Sequence, residues 1–166
     1  MDTELIAWLL AFASSVSGLP AQAPEDLPPI VRLTPADLRQ QVCPERPAEC
    51  VGIAAYFDIP HYRILIDARL DLSQPADHSY LLHEFVHVLQ FRRYGPDLFA
   101  RCEDTLRHEA LAYRVQNAYL RRQGVLLRVG AALAAIARCK AEDDSEDGDH
   151  DQLTVEPQAP RRYGLN

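Results

Sequence analysis

The segment Tyr80–Gln90, YLLHEFVHVLQ, holds two histidines and a glutamate inside an apolar run. His83, Glu84 and His87 form the pattern H-E-x-x-H. Residues four apart on an α-helix point the same way, one turn apart, so both imidazoles can reach a single metal ion. Glu84 is rotated by about 100° from His83. It therefore lies beside the metal and not on it, where a general base for a water on the metal belongs. In a chain of this composition the pattern arises by chance roughly once in a hundred cases. Its setting adds specificity, because Leu81, Leu82, Phe85, Val86, Val88 and Leu89 surround it. Burying three unpaired ionisable groups costs about 1–3 kcal/mol each, and a metal ion removes much of that difficulty. The competing reading is a helix whose histidines are hydrogen-bonded core residues.

A catalytic zinc site takes three protein ligands and leaves one position open. The longer form H-E-x-x-H-x-x-G-x-x-H fails here, since Gln90 stands at the glycine position and Arg93 at the last histidine. The third ligand must come from elsewhere, and the next helix, CEDTLRHEALAYRVQNAYL, is the best place. Gly95 reverses the chain before it. At about 1.5 Å per residue, His87 and Glu109 lie roughly 10 and 8 Å from the facing helix ends, so two antiparallel helices bring them level. His108 and Glu109 are both candidates, and periodicity does not choose between them.

The elements that must position these residues follow from pattern. Leu5, Trp8, Leu9, Phe12 and Val16 recur at helical spacing, and Gly18 and Pro20 stop that helix. The same stretch, with AQA at Ala21–Ala23, resembles a signal peptide, but MDTE lacks the positive start such a leader needs. A packed first helix is the favoured reading, and with it a cytoplasmic protein over an exported or periplasmic one. The run is too short for a stable membrane span, which needs about 20 apolar residues. Ile30–Leu33 reads as a short strand, and Thr34 caps a helix that has Pro35 at its first position. Val51–Asp58 and Arg63–Leu70 read as a hairpin. Long helices are expected from about Asp77 to Tyr94 and from near Glu103 to Gln123, and a last, Ala/Leu-rich helix over Val125–Cys139.

The chain has 166 residues, about one domain, and a formal net charge of −7. The run Glu142–Asp151, EDDSEDGDHD, holds seven acids, the whole of that excess. The body is thus neutral, which argues against nucleic acid as a partner. Residues 1–140 are expected to form a single domain and residues 141–166 an acidic, flexible tail. A calcium loop using Asp143, Ser145, Asp147 and Gly148 is a poor match, because its twelfth position is Thr154 and not glutamate. Cys43, Cys50, Cys102 and Cys139 contain no C-x-x-C pair; Cys43 and Cys50 can close a small loop, and four reduced thiols are an equal alternative.

H-E-x-x-H followed roughly twenty residues later by a helical glutamate resembles the gluzincin branch of the zincin metallopeptidases. More narrowly, AWLLAFASSVSGLP, the hairpin around AAYFD and RILI, LLHEFVHVLQ and EALAYRVQNAYL resemble a family of small bacterial proteins of uncharacterised role with a minimal zincin domain. The likeness spans residues 5–124 and leaves the tail uncovered. It implies an α+β fold, in which a small mixed sheet packs on the H-E-x-x-H helix and an antiparallel helix follows. It implies Zn²⁺ as cofactor, held by His83, His87 and Glu109, with Glu109 as third ligand. It also implies that an edge strand from the Val51–Leu70 hairpin receives an extended peptide or protein substrate. The expected reaction is peptide-bond hydrolysis with Glu84 as general base. Tyr113, Tyr119, His61 and Tyr94 are candidates for stabilising the oxyanion. The alternative is a zinc-stabilised binding or structural module with little or no protease activity.

Overall fold

The computed structural model describes residues 2–131 and residue 139. The 141–166 tail and the calcium loop considered there lie outside them, as do residues 132–138 of the last helix.

Helix α1 (Thr3–Ser17) begins where the Asp2 side chain accepts from the Glu4 N–H and ends at Gly18, whose φ of 74° suits only glycine. Leu9, Leu10 and Ala13 are buried in the common core, so the apolar N-terminal run is a structural helix of the fold. Strand β1 (Ile30–Leu33) leads into α2 (Pro35–Val42), where the Thr34 side chain accepts from the Asp37 N–H. The hairpin is formed by β2 (Ala55–Asp58) and β3 (Arg63–Asp67). Both strands are shorter than the sequence pattern suggests.

The three strands form a mixed sheet in the order β1-β3-β2. β1 runs parallel to β3, pairing Ile30 with Ile64 and Leu33 with Asp67, and β2 runs antiparallel to β3, pairing Ala55 with Ile66 and Asp58 with Arg63. β3 is therefore central. Its run Ile64, Leu65 and Ile66 is buried without alternation, as expected of a strand covered on both faces. β2 is left at one edge.

Helix α3 (Pro75–Tyr94) has Pro75 at its first turn and is buried continuously from Leu81 to Gln90. It packs against α1, against β2 and against α4 (Cys102–Arg122), so it is the centre of the molecule. Leu81, Leu82, Phe85, Val86, Val88 and Leu89 join Phe57, Ile64 and Ile66 of the sheet and Ala112, Val115, Tyr119 and Leu120 of α4 in one core. Each large side chain buried this way contributes about 1.5–3 kcal/mol. This anchors α3 firmly enough to carry a polar stripe. Gly95 and a 3-10 turn, Pro96–Phe99, reverse the chain into α4.

After α4, residues 125–130 lie in neither helix nor strand, which corrects the expected last helix over that part. The Asn117 amide explains it. Its Nδ2 donates to Val129 O at 2.9 Å and its Oδ1 accepts from the Val129 N–H at 3.0 Å, taking both backbone groups a helix would use. Val125, Leu127 and Val129 pack on the core while Leu126 is fully exposed. Two disulfides are formed, Cys43–Cys50 and Cys102–Cys139, with Cα separations of 6.3 and 5.7 Å. Among the described residues, no helix is long and apolar enough to cross a membrane.

Candidate metal centre

Antiparallel packing of α3 and α4 matches two polar stripes. On α3, Ser79, His83, His87 and Gln90 follow one another at three- and four-residue spacing; on α4, Glu109, Tyr113 and Gln116 do the same. His83, His87 and Glu109 converge, with one ligand atom from each lying within 4.8 Å of the others. The two Nε2 atoms are 3.0 Å apart. Glu109 Oε2 is 3.3 Å from His83 Nε2, and Oε1 is 3.1 Å from His87 Nε2. Of the two candidates His108 and Glu109, the structure brings Glu109 to the imidazoles. Glu109 reaches the imidazoles, whereas the His108 ring is turned against Tyr94 and Phe99, at centroid distances of 5.1 and 6.1 Å.

Two glutamines orient the imidazoles, and sequence reasoning did not single them out. His87 Nδ1 lies 2.8 Å from Gln90 Oε1, and Gln90 Nε2 donates to His108 O at 3.0 Å. A carbonyl only accepts, so the Gln90 amide is fixed and His87 Nδ1 must carry the proton. His83 Nδ1 lies 3.1 Å from Gln116 Oε1, and Gln116 Nε2 donates to Ser79 Oγ at 3.0 Å. Ser79 spends its own proton on Ala76 O, so it accepts from Gln116. In its neutral form, with the proton on Nδ1, each imidazole would therefore present its Nε2 lone pair to one point. Two lone pairs and a carboxylate so close together repel unless a proton or a cation lies between them, and a nitrogen–nitrogen–oxygen donor set suits a transition metal such as zinc. The signal for the glutamines was spacing: Gln90 is three residues after His87, and Gln116 is seven after Glu109.

Electrostatics follows from this crowding. Burial acts to lower the His87 pKa, but the Glu109 carboxylate outweighs it and holds that imidazole at about 9. Burial acts to raise Glu109, yet His87 and His83 hold it far below the usual carboxylate range. Burial raises Glu84; the two histidines and the Phe57 backbone amide pull the other way without cancelling it. Glu84 is buried beside the cluster and is not one of its converging ligands.

Aromatic rings wall the centre. Tyr113 packs on His83 with centroids 4.6 Å apart, and Phe99 packs on His87 at 5.2 Å. Burial and the Glu109 and Glu84 carboxylates raise the Tyr113 pKa, so its phenol stays a donor. The other oxyanion candidates have partners elsewhere. The Tyr119 hydroxyl is bonded to His78 Nδ1 at 2.9 Å, His61 lies on Asp58 at 2.9 Å, and Tyr94 is exposed against His108.

The described chain is thus an α+β protein whose central helix pair carries a His–His–Glu group competent to hold a metal ion. It matches, over residues 2–147, the family described as a domain of unknown function, DUF6647, and it belongs to that family. No curated protein and no solved structure matches it.

Proposed function

We propose that this protein is a zinc-dependent hydrolase of peptide bonds, a minimal zincin. The observation that carries the reading is the convergence of His83, His87 and Glu109 with Glu84 buried beside them. Zinc bound there supplies Lewis acidity, lowering the pKa of a water towards neutrality and polarising the scissile carbonyl. Glu84 accepts a proton from the attacking water on its carboxylate and delivers it to the leaving amine. Its raised pKa brings it closer to the pH at which both transfers are efficient. The Tyr113 hydroxyl donates to the carbonyl oxygen as that oxygen gains charge. Edge strand β2, whose Phe57 amide is felt by Glu84, receives an extended peptide by backbone pairing.

The alternative, a zinc-stabilised module, calls for a fourth protein ligand. All four cysteines are engaged in disulfides, so none offers a thiolate for that place, and a tail carboxylate there would make the site structural.

The test pairs metal analysis with a peptide-library digest. Wild type and Glu84→Gln are expected to hold one zinc per chain, while Glu84→Gln loses at least about a hundredfold in cleavage rate. Unchanged cleavage by Glu84→Gln would sink the general-base role. Zinc-loaded wild type that cleaves nothing would support the binding module instead.

A further inference from the structure

We infer that Gln90 and Gln116 are positioning residues that set the metal-binding tautomer of both histidines and tie it to the docking of α4 on α3. The inference rests on the metal reading above. Each amide has one end on an imidazole Nδ1–H and the other on a group whose proton is already committed or which has none. Gln116 reaches from α4 to His83 and Ser79 on α3, and Gln90 reaches from α3 to the His108 carbonyl on α4. Gln90 and Gln116 are 0 % and 1 % exposed, so water does not compete for these bonds. Neither amide can turn over without placing N–H against N–H at one end and oxygen against oxygen at the other. Were either imidazole to move its proton to Nε2, that nitrogen would face the cluster as a donor and lose its lone pair for metal.

A histidine ligand is commonly oriented by a carboxylate, a backbone carbonyl or water. Here both orienting groups are neutral side-chain amides, and both cross between helices. Tautomer and helix docking are therefore one device: α3 and α4 cannot part without releasing the imidazoles. The far end of one arm, Ser79, touches neither histidine ring in this network. It still fixes which end of Gln116 faces His83.

The experiment measures zinc affinity by competition with a chromogenic chelator for wild type, Gln116→Leu, Gln116→Glu and Ser79→Ala. Thermal unfolding of each zinc-free protein is recorded in parallel. Leucine fills the space but accepts no hydrogen bond, and glutamate keeps the acceptor while burying a charge. Gln116→Leu is expected to bind zinc about ten- to a hundredfold more weakly. Gln116→Glu is expected to stay within about tenfold of wild type while its zinc-free form unfolds at lower temperature than that of Gln116→Leu. Affinity and stability then rank the two variants in opposite orders, which a packing role cannot produce. Ser79→Ala is expected to fall between wild type and Gln116→Leu in affinity. In zinc-loaded wild type, long-range proton–nitrogen spectra should find both rings protonated at Nδ1. Unchanged affinity in Gln116→Leu, affinities that simply follow stability, or Nδ1 ligation in the wild type would each overturn the proposal. Wild type that binds no zinc would overturn the metal reading itself, and this inference with it.

Discussion

The cluster of His83, His87 and Glu109 stores a proton where it could hold a metal, and this makes both stability and affinity depend on pH. The His87 pKa is raised from 6.5 to about 9 by Glu109 against the effect of burial. A group raised above its unfolded value stabilises fully below that value and loses its contribution as pH climbs through the folded one. The His87 contribution to the metal-free protein is therefore complete below pH 6.5 and gone above about pH 9. Glu109 is shifted down from 4.5, so its contribution is present above that pH and is lost as acid protonates it. Zinc needs the His87 lone pair, so binding between these limits expels a proton. Conditional zinc affinity is expected to rise about tenfold per pH unit from pH 6.5 to 9, with the metal-free melting temperature falling over the same window. Chelator competition and thermal melts in parallel buffers check both. A flat affinity profile would remove the proton that His87 and Glu109 are said to share.

At the scale of elements, the irregular segment after α4, residues 125–130, bears directly on the centre. Gly130 has φ +76°, and a Cβ there would clash with the base of the Tyr113 ring. Tyr113 thus lies close against Gly130 at the base of its ring and packs on His83. Gly130→Ala is expected to displace the ring, cutting kcat by about tenfold or more if Tyr113 stabilises the oxyanion, with zinc affinity within about threefold of wild type. Loss of zinc in this variant would make Tyr113 a support for the ligands and not a donor to substrate. The segment also marks where sequence reading ran out. The Ala/Leu-rich pattern of Val125–Cys139 says helix, and over its first part the tertiary bond from Asn117 to Val129 and the positive φ of Gly130 say otherwise. The long helices were legible because α4 carries sustained periodicity and α3 is a long apolar run with Pro75 in its first turn, closed by Gly95 and Pro96. The mixed sheet was legible as short apolar runs, but its order was not. Nothing in the residues themselves places β3 in the centre, because its parallel partner β1 is thirty residues away. At the site, H-E-x-x-H declared itself by local spacing alone. The choice of Glu109 over His108 needed resemblance, since adjacent residues differ only in which way the helix is rolled against its neighbour. Gln90 and Gln116 escaped notice because their helical spacing from His87 and Glu109 gains meaning only once α3 and α4 are docked and the amides have partners.

For the molecule as a whole, the small sheet leaves most of the core to three helices, and covalent links reinforce it. Helix α1 contributes Leu9, Leu10 and Ala13 to that core, so removing the N-terminal run as a leader would open it. The Cys43–Cys50 and Cys102–Cys139 bridges span sequence separations of 7 and 37. In the chain-entropy account the shorter loop is worth about 2.5 kcal/mol and the longer about 4 kcal/mol. The longer bridge also ties the chain beyond Gly130 back to the start of α4, the helix that carries Glu109, Tyr113 and Gln116. Loosening it therefore acts on the ligand helix as well as on the unfolded chain. Stable disulfides belong to oxidising compartments, so the redox state of the cysteines in the native protein is a test of the cytoplasmic expectation. The protein isolated from its own cell without reductant, then denatured, is expected to yield no free thiol. Replacing Cys102 and Cys139 by serine should lower the denaturation midpoint more than replacing Cys43 and Cys50, and only the former should weaken zinc binding. Four reactive thiols in the native isolate would place the protein in a reducing compartment, and equal effects of the two replacements would separate the longer bridge from the metal centre.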